Sequence, residues 1–119
     1  MFLWSLAHEL VGDERYLRLA ENAAWDAFDH AIDFDSLCCG LAGCGYALLE
    51  LYRRTDDPAW LRRAEQLTNR AFSVTSTSAL QNSLYKGTLG VAVLAADLCD
   101  PRNARMPLFE SEAWPSTRR

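Results

Sequence analysis

The sequence predicts an all-α fold of stacked helical hairpins, on three observations. Apolar residues recur at helical spacing over two stretches, each opened by an aspartate suited to cap a helix. Matching segments recur at offsets of 44 and 47 residues. A glycine-bearing octad, Ser36-Leu37-Cys38-Cys39-Gly40-Leu41-Ala42-Gly43, is echoed by Ser83-Leu84-Tyr85-Lys86-Gly87-Thr88-Leu89-Gly90. Repeats of this length mark supersecondary units that bury a continuous core only by stacking on neighbours.

The elements follow in order. Leu6-Ala7-His8-Glu9-Leu10 matches Leu48-Leu49-Glu50-Leu51 within a residue or two and reads as the end of an inner helix. Segment 13–28 is an outer helix capped by Asp13, with Tyr16, Leu17, Ala20, Ala24 and Phe28 inward and Arg15, Arg18 and Glu21 in water. Asp26, Asp29, Asp33 and Asp35 read as carboxylates around a solvated turn. The first octad opens a mostly apolar inner helix, Leu41 to Tyr52, covered on nearly all sides, and its glycines let neighbouring backbones come close.

Segment 57–72 gives the clearest helix, with Asp57 at the N-cap and Pro58 at the first helical position. Trp60, Leu61, Ala64, Leu67, Thr68, Ala71 and Phe72 form its inward stripe, against Arg62, Arg63, Glu65, Gln66 and Arg70 outside. Tyr16-Leu17-x-x-Ala20 and Trp60-Leu61-x-x-Ala64 give the 44-residue offset, and the two octads give the 47. The second octad opens a further inner helix, Leu89 to Leu98. After Asp100-Pro101, Met106-Pro107-Leu108-Phe109 reads as an extended strap docked on the last helices, and 111–119 as a disordered tail.

Half of the 119 residues are hydrophobic, enough for one core and one domain. The net charge of −4 and the single lysine, Lys86, argue against nucleic acid as a partner. No basic region precedes the apolar start, so it does not read as a signal peptide. No apolar stretch approaches the ~20 residues that cross a bilayer, so no membrane partner is expected. The chain reads as soluble and cytoplasmic, a compartment that keeps thiols reduced. Metal binding or plain burial therefore suits Cys38, Cys39, Cys44 and Cys99 better than a disulfide framework.

Ser36 through Gly43 resembles the lanthionine synthetase C-like family, especially members fused behind a Ser/Thr-kinase-like module in lanthipeptide synthetases. Ser83-Leu84-Tyr85-Lys86-Gly87, with the closing Ala104-Arg105-Met106-Pro107-Leu108-Phe109-Glu110, is similar to the C-terminal end of that family. The likeness covers roughly residues 3 to 110. It implies that residues 1–110 are part of an α/α toroid, an inner ring of helices enclosed by an outer one, with zinc at the mouth.

In the family the metal is held by a cysteine from one inner-helix start and a Cys-His or Cys-Cys pair from the next. That pair maps onto Cys38 and Cys39, the second standing where many members have histidine. A third cysteine one repeat earlier would fall before Met1, and the family's catalytic histidine and aspartate have no matching position. The expectation is a fragment of a cyclase, incomplete alone, whose partners are a precursor peptide and the upstream part of the same synthetase.

The implied function is zinc-dependent closure of thioether rings, in which a peptide cysteine adds to a dehydroamino acid. The attacking species is a thiolate, scarce at neutral pH because a thiol has a pKa of ~8.5. Zinc lowers that value when the protein fills three positions and leaves the fourth for substrate. Three thiolates would leave more negative charge at the metal than two with an imidazole.

Plainer readings stand beside these. Without the octad pattern, Cys38 and Cys39 are equally well core residues. Cys44 and Cys99 read as structural, His8 and His30 as surface or satisfied histidines, and Lys86 as a cation facing either a cavity or solvent. Two further functions fit: a non-catalytic hairpin module binding a peptide or a kinase-like neighbour, and a carbohydrate-active toroid with paired carboxylates.

Overall fold

In the computed structural model, which describes residues 1–75 and 82–110, the chain forms five helices and, among those residues, no strand. They are α1 (Phe2–Val11), α2 (Glu14–Asp29), α3 (Leu41–Thr55), α4 (Pro58–Val74) and α5 (Leu89–Asp97). The tail expected over 111–119 lies outside the described residues. No described helix is long and apolar enough to cross a membrane.

The repeat is visible in the links between helices. Gly12 ends α1 at φ 74° and Asp56 ends α3 at φ 57°, both left-handed, each returning its N–H to the last turn. The next residue caps the following helix in both cases. The Asp13 carboxylate accepts the Arg15 N–H at 2.9 Å and that of Asp57 accepts the Ala59 N–H at 2.8 Å. Two short corners thus fold α1 onto α2 and α3 onto α4.

Helix α3 lies at the centre and touches each of the other four helices. Leu41, Tyr46, Leu48, Leu49 and Leu51 are fully buried along it. Each large apolar side chain so buried contributes about 1.5–3 kcal/mol, so this helix anchors the fold. The outer helices meet it through small residues, Ala20 and Ala24 on α2 and Ala64 and Ala71 on α4, all fully buried. A Cβ at Gly45 would lie 2.7 Å from a Leu94 methyl, so the missing side chain lets α5 approach.

Several expectations need correction. Phe72 is 50 % exposed rather than inward, since it follows Ala71 by one residue and so sits about 100° round the helix from the buried stripe. Met106 docks, but 107–110 turns back instead of extending. The Phe109 and Glu110 N–H groups both bond to the Met106 carbonyl, and the Glu110 carboxylate accepts the Met106 N–H at 2.8 Å. That closure puts Leu108 in a left-handed conformation (φ 61°) and leaves it 88 % exposed. Phe109 instead meets Phe2 at a ring separation of 5.1 Å. Leu3, Leu10 and Val11 of α1 are exposed, on a helix that packs chiefly on α2 and α3.

A buried ionic cluster closes the far end of α3. Arg53, 4 % exposed in its side chain, pairs with Glu50 and Glu110, while Arg54 pairs with Glu50 at 2.7 Å and with Glu9. Burial alone would raise the Glu50 carboxyl, but Arg53 and Arg54 hold it below the ordinary range. Glu110 is pushed up, chiefly by burial. The outer helices are joined by Trp25 and Trp60, whose rings meet edge to face at 5.3 Å. The Arg63 guanidinium lies 4.0 Å from the Trp25 ring and 5.0 Å from that of Trp60.

Candidate functional site

Both octads fold by one rule. The opening serine accepts an N–H from three residues on: Ser36 Oγ from Cys39 at 3.4 Å, and Ser83 Oγ from Lys86 at 3.0 Å. The closing glycine then passes over the leucine carbonyl. A Cβ at Gly43 would overlap the Leu37 oxygen, and one at Gly90 would lie 2.6 Å from the Leu84 oxygen. Leu37 itself is 1 % exposed and lies against Gly90, which locks the first turn to the start of α5.

The turns are also joined by hydrogen bonds. The Cys38 N–H donates to the Tyr85 carbonyl at 3.0 Å, and the Thr88 hydroxyl donates to Asp35 Oδ2 at 3.2 Å. Asp35 was expected on a solvated turn, yet it is 3 % exposed, because the second octad covers it and supplies its donor. Asp33 does stay at the surface, paired with Arg70 at 2.6 Å.

Cys38 and Cys39 are both exposed, in the turn just ahead of α3, whose N-cap is Gly40. The Cys39 sulfur lies 3.9 Å from Ser36 Oγ. Cys44 is half-buried, and burial, followed by the nearby charge of Cys39, pushes its thiol up. It is thus less available as a thiolate than an exposed cysteine. Cys99 is exposed, with its sulfur 3.9 Å from the Ala95 carbonyl. All four cysteines are free. The exposed Lys86 adjoins Tyr85, which puts the sole lysine at the cysteine turn.

Adjacent exposed thiols are soft donors of the kind zinc takes, and two fill half of a tetrahedral set. Among the described residues no group of three or more His, Cys, Asp or Glu could complete it. His8 is engaged with Glu14 at 3.3 Å and His30 with Asp26 at 3.0 Å, and Asp35 is spoken for by Thr88. The residues present therefore fit part of a metal centre and need a further donor.

The profile described as lanthionine synthetase C-like protein matches residues 1–111. The chain belongs to that family. Among similar proteins, glutathione S-transferase LANCL1 of Danio rerio is 37 % identical over 78 residues. The match takes in 62 % of this chain and 19 % of that relative, so the chain spans about a fifth of its length. Family membership agrees with the helical hairpins and with the octads on which the cysteines sit. The spacing of the octads marked the cysteine turn but not its tie to the second octad, since Asp35 and Thr88 lie 53 residues apart.

Proposed function

We propose that this chain is part of a lanthionine cyclase-type site, in which Cys38 and Cys39 hold zinc and a thiol adds to a dehydroamino acid. The observation that carries this reading is a pair of adjacent, exposed thiols on a turn braced by the following repeat, in a member of this family. Bound zinc would supply the positive charge that favours the thiolate of an incoming substrate. Cys38 and Cys39 give up their own protons on binding the metal, so affinity rises with pH. The bond between Cys38 N–H and Tyr85 fixes the turn before any ligand arrives, and the Ser36 hydroxyl lies within reach of the Cys39 sulfur. The reaction is an addition: sulfur bonds to the β-carbon, the double bond is consumed, and the proton ends on the α-carbon.

A second reading concerns the thiol. The relative in Danio rerio is named a glutathione S-transferase, which supports glutathione in place of a peptide cysteine. The demand on the protein, activating a thiol beside an electrophile, is unchanged.

Cobalt(II) tests the proposal, because thiolate ligation gives a near-ultraviolet charge-transfer band. The band is expected in the unmodified chain and in Cys99→Ala, and is expected to vanish in the Cys38→Ala, Cys39→Ala double variant. A band indifferent to that double variant would overturn the zinc reading and leave a helical module that binds without chemistry. Incubating the metal-loaded protein with a dehydroalanine peptide, with either an internal cysteine or added glutathione, separates the two thiols by product mass.

A further inference from the structure

We infer that Asp35 is a positioning residue for the cysteine turn, acting through the Thr88 hydroxyl. Asp35 stands three residues ahead of Cys38, is 3 % exposed, and takes a hydrogen bond from Thr88 at 3.2 Å. Thr88 is the N-cap residue of α5, and its side chain makes no capping bond within its own helix. Its hydroxyl is spent on Asp35 instead. A buried carboxylate is costly to desolvate unless it is bonded, so the contact is held tightly once formed.

The contact has a parallel on the other side of the turn, where the Cys38 N–H donates to the Tyr85 carbonyl at 3.0 Å. Residues 35 to 38 are thus gripped at both ends by residues 85 to 88, one grip through side chains and one through backbone. Between the grips, buried Leu37 fills the space against Gly90. This leaves the Cys38 and Cys39 side chains on the open side of a segment that cannot drift. Groups that orient metal ligands from behind change affinity by roughly 10–100-fold when removed. In its effect on metal affinity the inference rests on the zinc reading above; in its effect on the turn it does not.

The test therefore has two readouts, cobalt(II) affinity from the charge-transfer band and hydrogen exchange at the Cys38 amide. Asp35→Ala is expected to weaken cobalt binding by about tenfold. It should speed exchange at Cys38 by about tenfold, as expected when the buried hydrogen bond beside that amide is lost. Asp35→Asn keeps an oxygen that can accept from Thr88 and is expected to stay within about threefold of the unmodified chain on both readouts. Thr88→Val, which preserves shape, should reproduce Asp35→Ala and carries the test if that variant does not fold. Thr88→Ser should restore the unmodified values.

Unchanged Cys38 exchange in Asp35→Ala or Thr88→Val would overturn the inference. Equal losses in Asp35→Asn and Asp35→Ala would do the same, since negative charge and not the hydrogen bond would then be responsible. In a chain that takes up no cobalt, Cys38 exchange still decides whether Asp35 and Thr88 hold the turn.

Discussion

In the first octad the serine-braced turn presents two thiols and runs into a 15-residue helix, α3, that contacts every other helix. In the second, a turn with the same serine bond presents Tyr85 and Lys86 and runs into the nine-residue α5, where only Gly90, Val91 and Leu94 are buried. The shared positions, Ser, Leu and two Gly, all serve the backbone. They brace a turn, fill the gap beneath it and let a helix start against a carbonyl. Four positions differ: Cys38, Cys39 and Lys86 are exposed, Tyr85 is half-buried with its hydroxyl donating to the Pro107 carbonyl, and behind them Thr88 and Leu89 stand where the first octad has Leu41 and Ala42. A repeat can therefore keep its frame while the side chains mounted on it are exchanged.

The sharpest way to break this comparison is to fill the glycine that both turns need. Gly43→Ala forces a methyl onto the Leu37 carbonyl, a backbone group that cannot swing aside. The expected loss is about 3 kcal/mol, the upper end for overpacking, despite the roughly 1 kcal/mol that alanine gains within a helix. Gly90→Ala, 2.6 Å from the Leu84 oxygen, should lose somewhat less. Urea unfolding measures both, and an undiminished Gly43→Ala would mean that the close approach is not what holds the octads.

Equal in size is Glu50→Gln, which probes a feature α3 has and α5 lacks among the described residues. It leaves Arg53 buried with one of its two carboxylate partners gone, and is expected to cost about 3 kcal/mol. Because the folded Glu50 carboxyl lies below its unfolded value, its contribution is complete above that value and is lost as pH falls through the folded one. Glu110, raised by burial, acts with the opposite sign and favours the fold more at low pH. Urea unfolding between pH 3 and 7 should therefore show a shallower acid limb in Glu50→Gln.

The smallest effect sharpens the contrast between frame and cargo. Cys38→Ala with Cys39→Ala, and separately Lys86→Ala, should each change stability by no more than about 0.5 kcal/mol, as exposed positions do. A loss well beyond that on replacing the cysteines would assign them to packing.

The frame was legible because it is local and periodic. Asp13 and Asp57 announce helix starts that depend only on their neighbours, and the stripe through Trp60, Ala64, Leu67 and Ala71 follows from helical geometry. The cysteine turn was legible because its octad recurs. What escaped depends on distant partners. Asp35 carries no local sign that Thr88, 53 residues on, will cover it. Glu50, Arg53 and Arg54 look like ordinary charges near a helix end until Glu9 and Glu110 arrive from 41 and 60 residues away from Glu50. Carboxylate partners so far apart leave no trace in spacing.

The edge-to-face indoles of Trp25 and Trp60 belong to different hairpins and sit close enough for their electronic transitions to couple. Such coupling splits the far-ultraviolet circular dichroism into a paired band that collapses when the rings separate. The molecule thus carries its own optical gauge for the seating of α2 against α4, readable without a label as the difference from a Trp25→Phe variant, which removes the paired band and leaves the helical one.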